Sequence, residues 1–220
     1  RRAKGDRMKI ADNILRHHLQ NVLFVSGSAY GGKTTMARKL EETYGFLRYR
    51  EGTKYDEHLA YADRTHQPAM CYERGDLKHF FNRPPDLYAQ WITDSITEEA
   101  EMAIVDLIQL SQHRKVVADV QIPVGYLSQI ATFEQVILLV ADPAMIVENY
   151  FAREDKREVY DAIMSMPNPQ RTLANVKKAL KLAAVPVEVY QNSGFKCLVR
   201  DDCRSIDETF HQIERHFGLI

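Results

Sequence analysis

Cysteine is scarce. The 220 residues hold three, Cys71, Cys197 and Cys203, too few and too scattered for a disulfide framework or a zinc knuckle. They read as free thiols of a reducing compartment, so the expected location is the cytoplasm. No apolar run approaches the roughly 20 residues that span a bilayer, and no stretch shows the order of a signal peptide. A membrane partner is therefore not expected. An excess of one charge is missing as well: 29 basic and 30 acidic residues leave a net charge of −1. No global field then favours a nucleic acid polymer. Repeats and low-complexity linkers are lacking, and this length suits one α/β domain with insertions. The eight histidines are dispersed, and His17-His18 reads as a solvated helix end. The chain does not open with Met, and Met8 is a candidate native start.

What the chain does have is a glycine-rich loop. Gly27-Ser28-Ala29-Tyr30-Gly31-Gly32-Lys33-Thr34 fits G-x-x-x-x-G-K-[ST] at every fixed position. With glycine at about 7% of residues, chance supplies such a match in roughly one chain of this length in a hundred. The flanks suit it. Val22–Val25 is an apolar run, as for a buried parallel strand. Ala37, Leu40 and Tyr44 then recur at helical spacing, and Gly45 stands where a helix ends. In such a loop Gly27 and Gly32 permit backbone conformations closed to other residues. Successive N–H groups, from Gly27 through Thr35, then face phosphate oxygens at a helix N-terminus. Lys33 is expected to reach the β- and γ-phosphates of ATP, and the Thr34 hydroxyl to ligate Mg²⁺.

Around this core the periodicities predict alternating elements. A short helix is expected over 8–18 and strands at 22–26 and 46–50. Residues 54–86 are polar, aromatic and broken by Pro68, Pro84 and Pro85. A long helix from Pro85 or Asp86 to about Gln112 follows, then strands at 115–122 and 136–141, the second all apolar and so central. Asp142-Pro143 suits an N-cap and first-turn proline. A short helix carries Val159 and Ile163, the Pro167-Asn168-Pro169 break follows, and another helix covers 171–184. Val185–Val189 and Lys196–Arg200 are strand candidates. Ser205 and Glu208 form a capping-box pair that opens a last helix. Strands alternating with helices predict an α/β fold with a parallel sheet wrapped on both faces.

This order of parts resembles the nucleoside monophosphate kinase group of P-loop phosphotransferases, which includes adenylate, cytidylate, shikimate and gluconate kinases. The likeness covers nearly the whole chain; the glycine loop is its one specific motif. It implies a three-layer P-loop domain with a parallel sheet flanked by helices, a helical acceptor-binding insertion over about 52–86 and a short lid over about 153–170. Ala118–Pro123 falls where adenylate-kinase-like chains carry Asp-Gly-x-Pro, and Arg153 to Arg157 fall at the lid. The chain departs from that pattern at Val120-Gln121, which replaces the glycine, and it has no arginine directly after Pro123.

Two apolar runs end in aspartate. Asp142 is accounted for as a cap, whereas Asp119 is a charge inside an apolar segment, which a cation would offset. Asp119 is thus the expected partner of Thr34 at the metal. Arg153 and Arg157 are expected over the migrating phosphoryl group. Glu51 or Asp56 would meet the acceptor hydroxyl, and Arg48, Arg50, Arg74 and Arg83 are candidates to bind an anionic acceptor. Tyr55, Tyr61, Tyr72 and Phe80 are candidates to stack on a base. The expected activity is transfer of the γ-phosphoryl of ATP, with Mg²⁺, to a small acceptor. A nucleoside or nucleoside monophosphate, or a sugar acid or other metabolite hydroxyl, fits that place. A nucleotide-binding regulatory module is the reading from another class.

Overall fold

Five parallel strands run through the molecule in the order β2-β3-β1-β4-β5. The computed structural model describes residues 9–72, 75–152, 154–200 and 203–220. Met8, Arg74 and Arg153 lie outside the described residues, as do Asp201 and Asp202. In chain order the elements are α1 (Asp12–His18), β1 (Val22–Gly27), α2 (Lys33–Tyr44), β2 (Leu47–Arg50), α3 (Tyr55–Leu59) and α4 (Leu77–Phe81). Then come α5 (Pro85–Leu110), β3 (Val116–Asp119), α6 (Val124–Ile130), β4 (Val136–Val140) and α7 (Pro143–Asn149). After two 3-10 turns, Tyr150–Ala152 and Glu154–Lys156, follow α8 (Arg157–Met164), α9 (Pro169–Ala183), α10 (Val187–Gln191), β5 (Lys196–Val199) and α11 (Ile206–His216).

The strand sequences explain their places. Every residue of β1, β3 and β4 is buried, which is why these segments read as unbroken apolar runs. The edge strands β2 and β5 are only partly covered and carry Arg48, Arg50 and Lys196. The all-apolar β4 is interior as expected, but β1 is the middle strand. The β1-to-β2 connection travels toward one edge, while β3-to-β4 and β4-to-β5 travel toward the other. Right-handed crossovers moving in opposite directions put their helices on opposite faces. Accordingly, Met36, Ala37 and Leu40 of α2 join Phe210 and Ile213 of α11 under one face, against Val25, Val117, Ile137 and Leu139. On the other face, Ala103 and Leu107 of α5, Leu127 of α6 and Tyr190 of α10 cover Phe24, Ala118 and Leu138. The arrangement is compatible with a three-layer fold.

Helix α5 belongs to two cores. Its 26 residues reach about 39 Å at 1.5 Å per residue. The second half lies on the sheet. The first half joins a separate helical lobe, in which Tyr88 packs with Phe80 and Phe81 of α4, Ile163 of α8, and Val176 and Ala179 of α9. Residues 52–86 and 153–170, two separate features in the sequence, thus contribute to one apolar cluster. Helix α8 has its Ile163 fully buried in that cluster and Phe151 and Val159 packed at its side.

The polar segment 54–72 is held by specific bonds. Asp106 of α5 accepts from the Tyr49 hydroxyl at 2.7 Å, His58 Nε2 at 2.9 Å and Lys54 Nζ at 3.3 Å. Burial alone would raise the Asp106 carboxyl, but these donors outweigh it and hold the group below its ordinary range. Glu98 accepts from the Ala69 and Met70 N–H groups, and Trp91 Nε1 donates to the Ala69 carbonyl.

Two expectations change. Val185–Val189 is not a strand: Pro186 caps the short helix α10, and Tyr190 is buried against the sheet. The β-branched run matched a strand, and tertiary packing overrode that preference. Strand β3 stops at Asp119 rather than Ile122, because the chain turns and the Ile122 N–H bonds to Ser26 Oγ instead of a ladder carbonyl. Residues 54–86, expected as a helical insertion, contain the helices α3 and α4, each too short to show periodicity. Asp142 caps α7 by accepting from the Ala144 N–H at 2.7 Å, with Pro143 at the first helical position. Asp142→Ala should therefore lower unfolding free energy by about 1 kcal/mol in urea titrations.

Candidate active site

Parallel pairing brings a set of strand ends to one edge of the sheet. Arg50 is level with Asp119, Val25 with Asp119, and Gly27 with Leu139. Two further backbone bonds extend the ladder, Glu51 N–H to the Asp119 carbonyl and Arg200 N–H to the Val140 carbonyl. Ligands of open α/β sheets bind beyond these carboxyl ends, where connections diverge, and β1 and β4 are such a diverging pair. A cleft of about 680 Å³ opens there.

The glycine loop is seated directly on β4. The Ser28 N–H donates to the Leu139 carbonyl at 3.1 Å, and Ser28 Oγ accepts from the Ala141 N–H at 2.8 Å. A side chain on either Gly27 or Gly31 would overlap the Leu139 backbone. Gly27, at φ 117°, also occupies a conformation that L-residues avoid. Gly31 thus serves the seating of the loop, a need the four fixed motif positions do not express. Tyr30 is the non-glycine residue with positive φ, 62°, among the described residues. Its hydroxyl donates to the Asn149 carbonyl at the end of α7, and its own carbonyl accepts from Arg200.

Past the loop, α2 begins at Gly32, at φ 93°, with no side chain capping it. Ser28, Ala29, Tyr30, Gly32, Lys33, Thr34 and Thr35 all line the cleft. The first-turn N–H groups of α2 have no intrahelical acceptor and stand beside that space. Lys33 Nζ donates to the Ser28 carbonyl at 2.7 Å, folded over the loop.

Asp119 also lines the cleft, though it is only 2% exposed. Burial raises its carboxyl above the ordinary range, opposed by a hydrogen bond with Thr34 and by the charges of Lys33, Arg48 and Arg50. Its Oδ2 atom is buried and has no partner among the described residues. No group of three or more His, Cys, Asp or Glu that could hold a metal occurs among the described residues. Any cation here would need its other ligands from Thr34, substrate and water.

No protein-family model and no curated protein matches this chain. Its chemistry therefore rests on the cleft itself. Besides the loop, Asp119 and Arg50, the lining includes Glu51, whose Oε2 accepts from the Gln121 N–H at 3.2 Å. Four other candidates stand elsewhere. Arg48 pairs with Glu41 of α2 at 3.0 Å. Asp56 is exposed on α3, outside the lining. Arg83 lies over the rings of Tyr72, Phe80, Tyr88 and Trp91 and donates to the Phe80 carbonyl. Arg157 is 77% exposed in its side chain, beside Asp161. Of the expected stacking residues, Tyr55 reaches the cleft, while Tyr61, Tyr72 and Phe80 do not line it.

Sequence reasoning missed other lining residues. Glu99, Tyr88 and Trp91 come from α5, and Lys156 from beyond β4. Glu99 had a readable signal: it is a charge on the side of α5 that also carries Ile92, Ser95 and Ile96. Burial raises its carboxyl, and the charge of Glu51 adds to the effect, against a hydrogen bond from the Gly52 N–H.

Two outcomes follow. Gly31→Ala should cost about 2 kcal/mol or more, because the backbone atoms of β4 cannot give way as a side chain does; urea melts measure it. Asp119 has a raised folded pKa, so its contribution to stability is fully present below the unfolded carboxylate range. That contribution is lost as pH rises through the folded value. Asp119→Asn should therefore melt higher than wild type at pH 7 in metal-free buffer, with the gain fading toward pH 4. A gain that is flat with pH would contradict this account.

Proposed function

We propose that the protein is an ATP- and Mg²⁺-dependent phosphotransferase, with Gly27–Thr34 as its P-loop. One observation carries the reading. A glycine loop seated on β4 leads into an α2 N-terminus without a side-chain cap, and Lys33, Thr34 and the buried Asp119 converge there on one cleft. Its volume, about 680 Å³, falls within the range of small-molecule sites.

In this reading the backbone N–H groups of the loop and of the first turn of α2 hold the phosphates of ATP. Lys33 leaves the Ser28 carbonyl and binds the β- and γ-oxygens. The chain fits a hard cation at this place: the Thr34 hydroxyl and the unpartnered Asp119 Oδ2 are oxygen donors of the kind Mg²⁺ takes. Mg²⁺, when bound, supplies charge neutralisation to the transferred group. Arg50, Lys156 and Arg200 line the same cleft and add positive charge around it. Arg157 and Asp56 do not line it, so Glu51 is the carboxylate assigned to the acceptor. The order of parts shared with nucleoside monophosphate kinases agrees with this assignment, as a resemblance.

Lys33→Ala is the direct test. ATP-dependent ADP release should fall by about 10²- to 10³-fold, the loss typical when one charge-stabilising donor is removed, while the melting profile stays cooperative. Undiminished turnover and unchanged binding of a fluorescent ATP analogue in the folded variant would refute the assignment.

A further inference from the structure

The charges of the cleft are sorted across the sheet. Lys33 and Arg200 are tied to carbonyls of the glycine loop, and Lys156 lies over the Tyr150 ring beside the end of α7. Strands in a sheet are about 4.8 Å apart, so β2, two positions from β1, ends about 10 Å from that loop. At the β2 side the lining is different. Glu51 follows β2, and Glu99 faces it from α5, bonded to the Gly52 N–H. Burial, and after it the charge of Glu51, makes Glu99 hold its proton more tightly than usual. Arg50, the cation of this side, is level with Asp119 across β2 and β3, and its charge lowers that carboxyl. Arg48 is engaged by Glu41, and Arg83 is seated among rings. The cleft lining also includes the apolar and aromatic side chains of Tyr55, Trp91, Ile92 and Ile96.

Resting on the phosphotransferase reading, we propose that the acceptor is an uncharged ring compound bearing hydroxyls, of the nucleoside class, and not a phosphate monoester or a sugar acid. A pair of carboxylates repels an anionic acceptor and accepts hydrogen bonds from hydroxyls. The ring lies along Tyr55 and Trp91, and Glu51 and Glu99 take its hydroxyls. In the transfer, the hydroxyl proton passes to Glu51, the acceptor oxygen bonds to the γ-phosphorus, and the bond from that phosphorus to ADP breaks.

Trp91 is the sole tryptophan in the chain and lines the cleft, so intrinsic emission reports on it. The whole protein, loaded with Mg²⁺ and a non-hydrolysable ATP analogue, is titrated with adenosine, guanosine, cytidine, uridine, their 5′-monophosphates and gluconate. At least one nucleoside should change the emission with a dissociation constant tenfold or more below that of its monophosphate. Glu99→Gln should narrow the gap, and Glu99→Lys should reverse it. The proposal is overturned if a monophosphate or gluconate binds as tightly as any nucleoside, or if no nucleoside alters the emission. Acceptor-dependent ADP release with a monophosphate would overturn the acceptor class and leave the phosphotransferase standing. Failure of the ATP analogue to bind, followed with a fluorescent nucleotide, would instead remove the reading on which it rests.

Discussion

The approach of the glycine loop to the backbone of β4 is the contact on which the rest depends. Gly27 and Gly31 leave no room for a side chain against Leu139, and Ser28 is bonded to Leu139 and Ala141 from both its backbone and its hydroxyl. This seating fixes where α2 begins. It therefore fixes where Lys33 and Thr34 point, and it places Thr34 against Asp119 on the neighbouring strand. Loosening this backbone contact would misplace Lys33 and Thr34, and near-attack geometry tolerates only errors well under an ångström.

A second constraint is electrostatic. Asp119 is kept in a buried position where its charged form is disfavoured and one oxygen has no partner among the described residues. Such an arrangement is costly. A cation held there would offset that cost, and a ligand that brought one would stabilise the folded state through mass action. Glu99 is burdened in the same direction by burial and by Glu51. Perturbed carboxylates gathered in one cleft are characteristic of functional sites.

Helix α5 couples the two halves of the molecule. Its second half is packed on the sheet that positions the loop, and its first half is packed in the helical lobe. Between them Ser95, Ile96 and Glu99 face the cleft. A rigid helix shared by two cores holds the wall opposite the loop, and the Asp106 cluster ties the adjoining segment 54–58 to the same helix.

The local signals were legible in the sequence. The buried strands, the glycine loop, the N-cap at Asp142, the capping box at Ser205 and the long helix from Pro85 each depend on neighbours a few residues apart. The cap role of Asp142 was legible for the same reason, since its partner lies two residues away. Strand order, and with it the company each side chain keeps, was decided only by the tertiary structure. Nothing in the spacing around Arg48 shows that Glu41 receives it; Arg83 and Arg157 have Phe80 and Asp161 close in sequence, but packing decides that these receive them. Nothing near Glu99 shows that it faces Glu51, 48 positions earlier. Periodicity reports which side of an element is apolar. Which charge lies across a cleft is set by long-range pairing of strands and packing of helices, and the energy that selects it is spread over contacts distant along the chain.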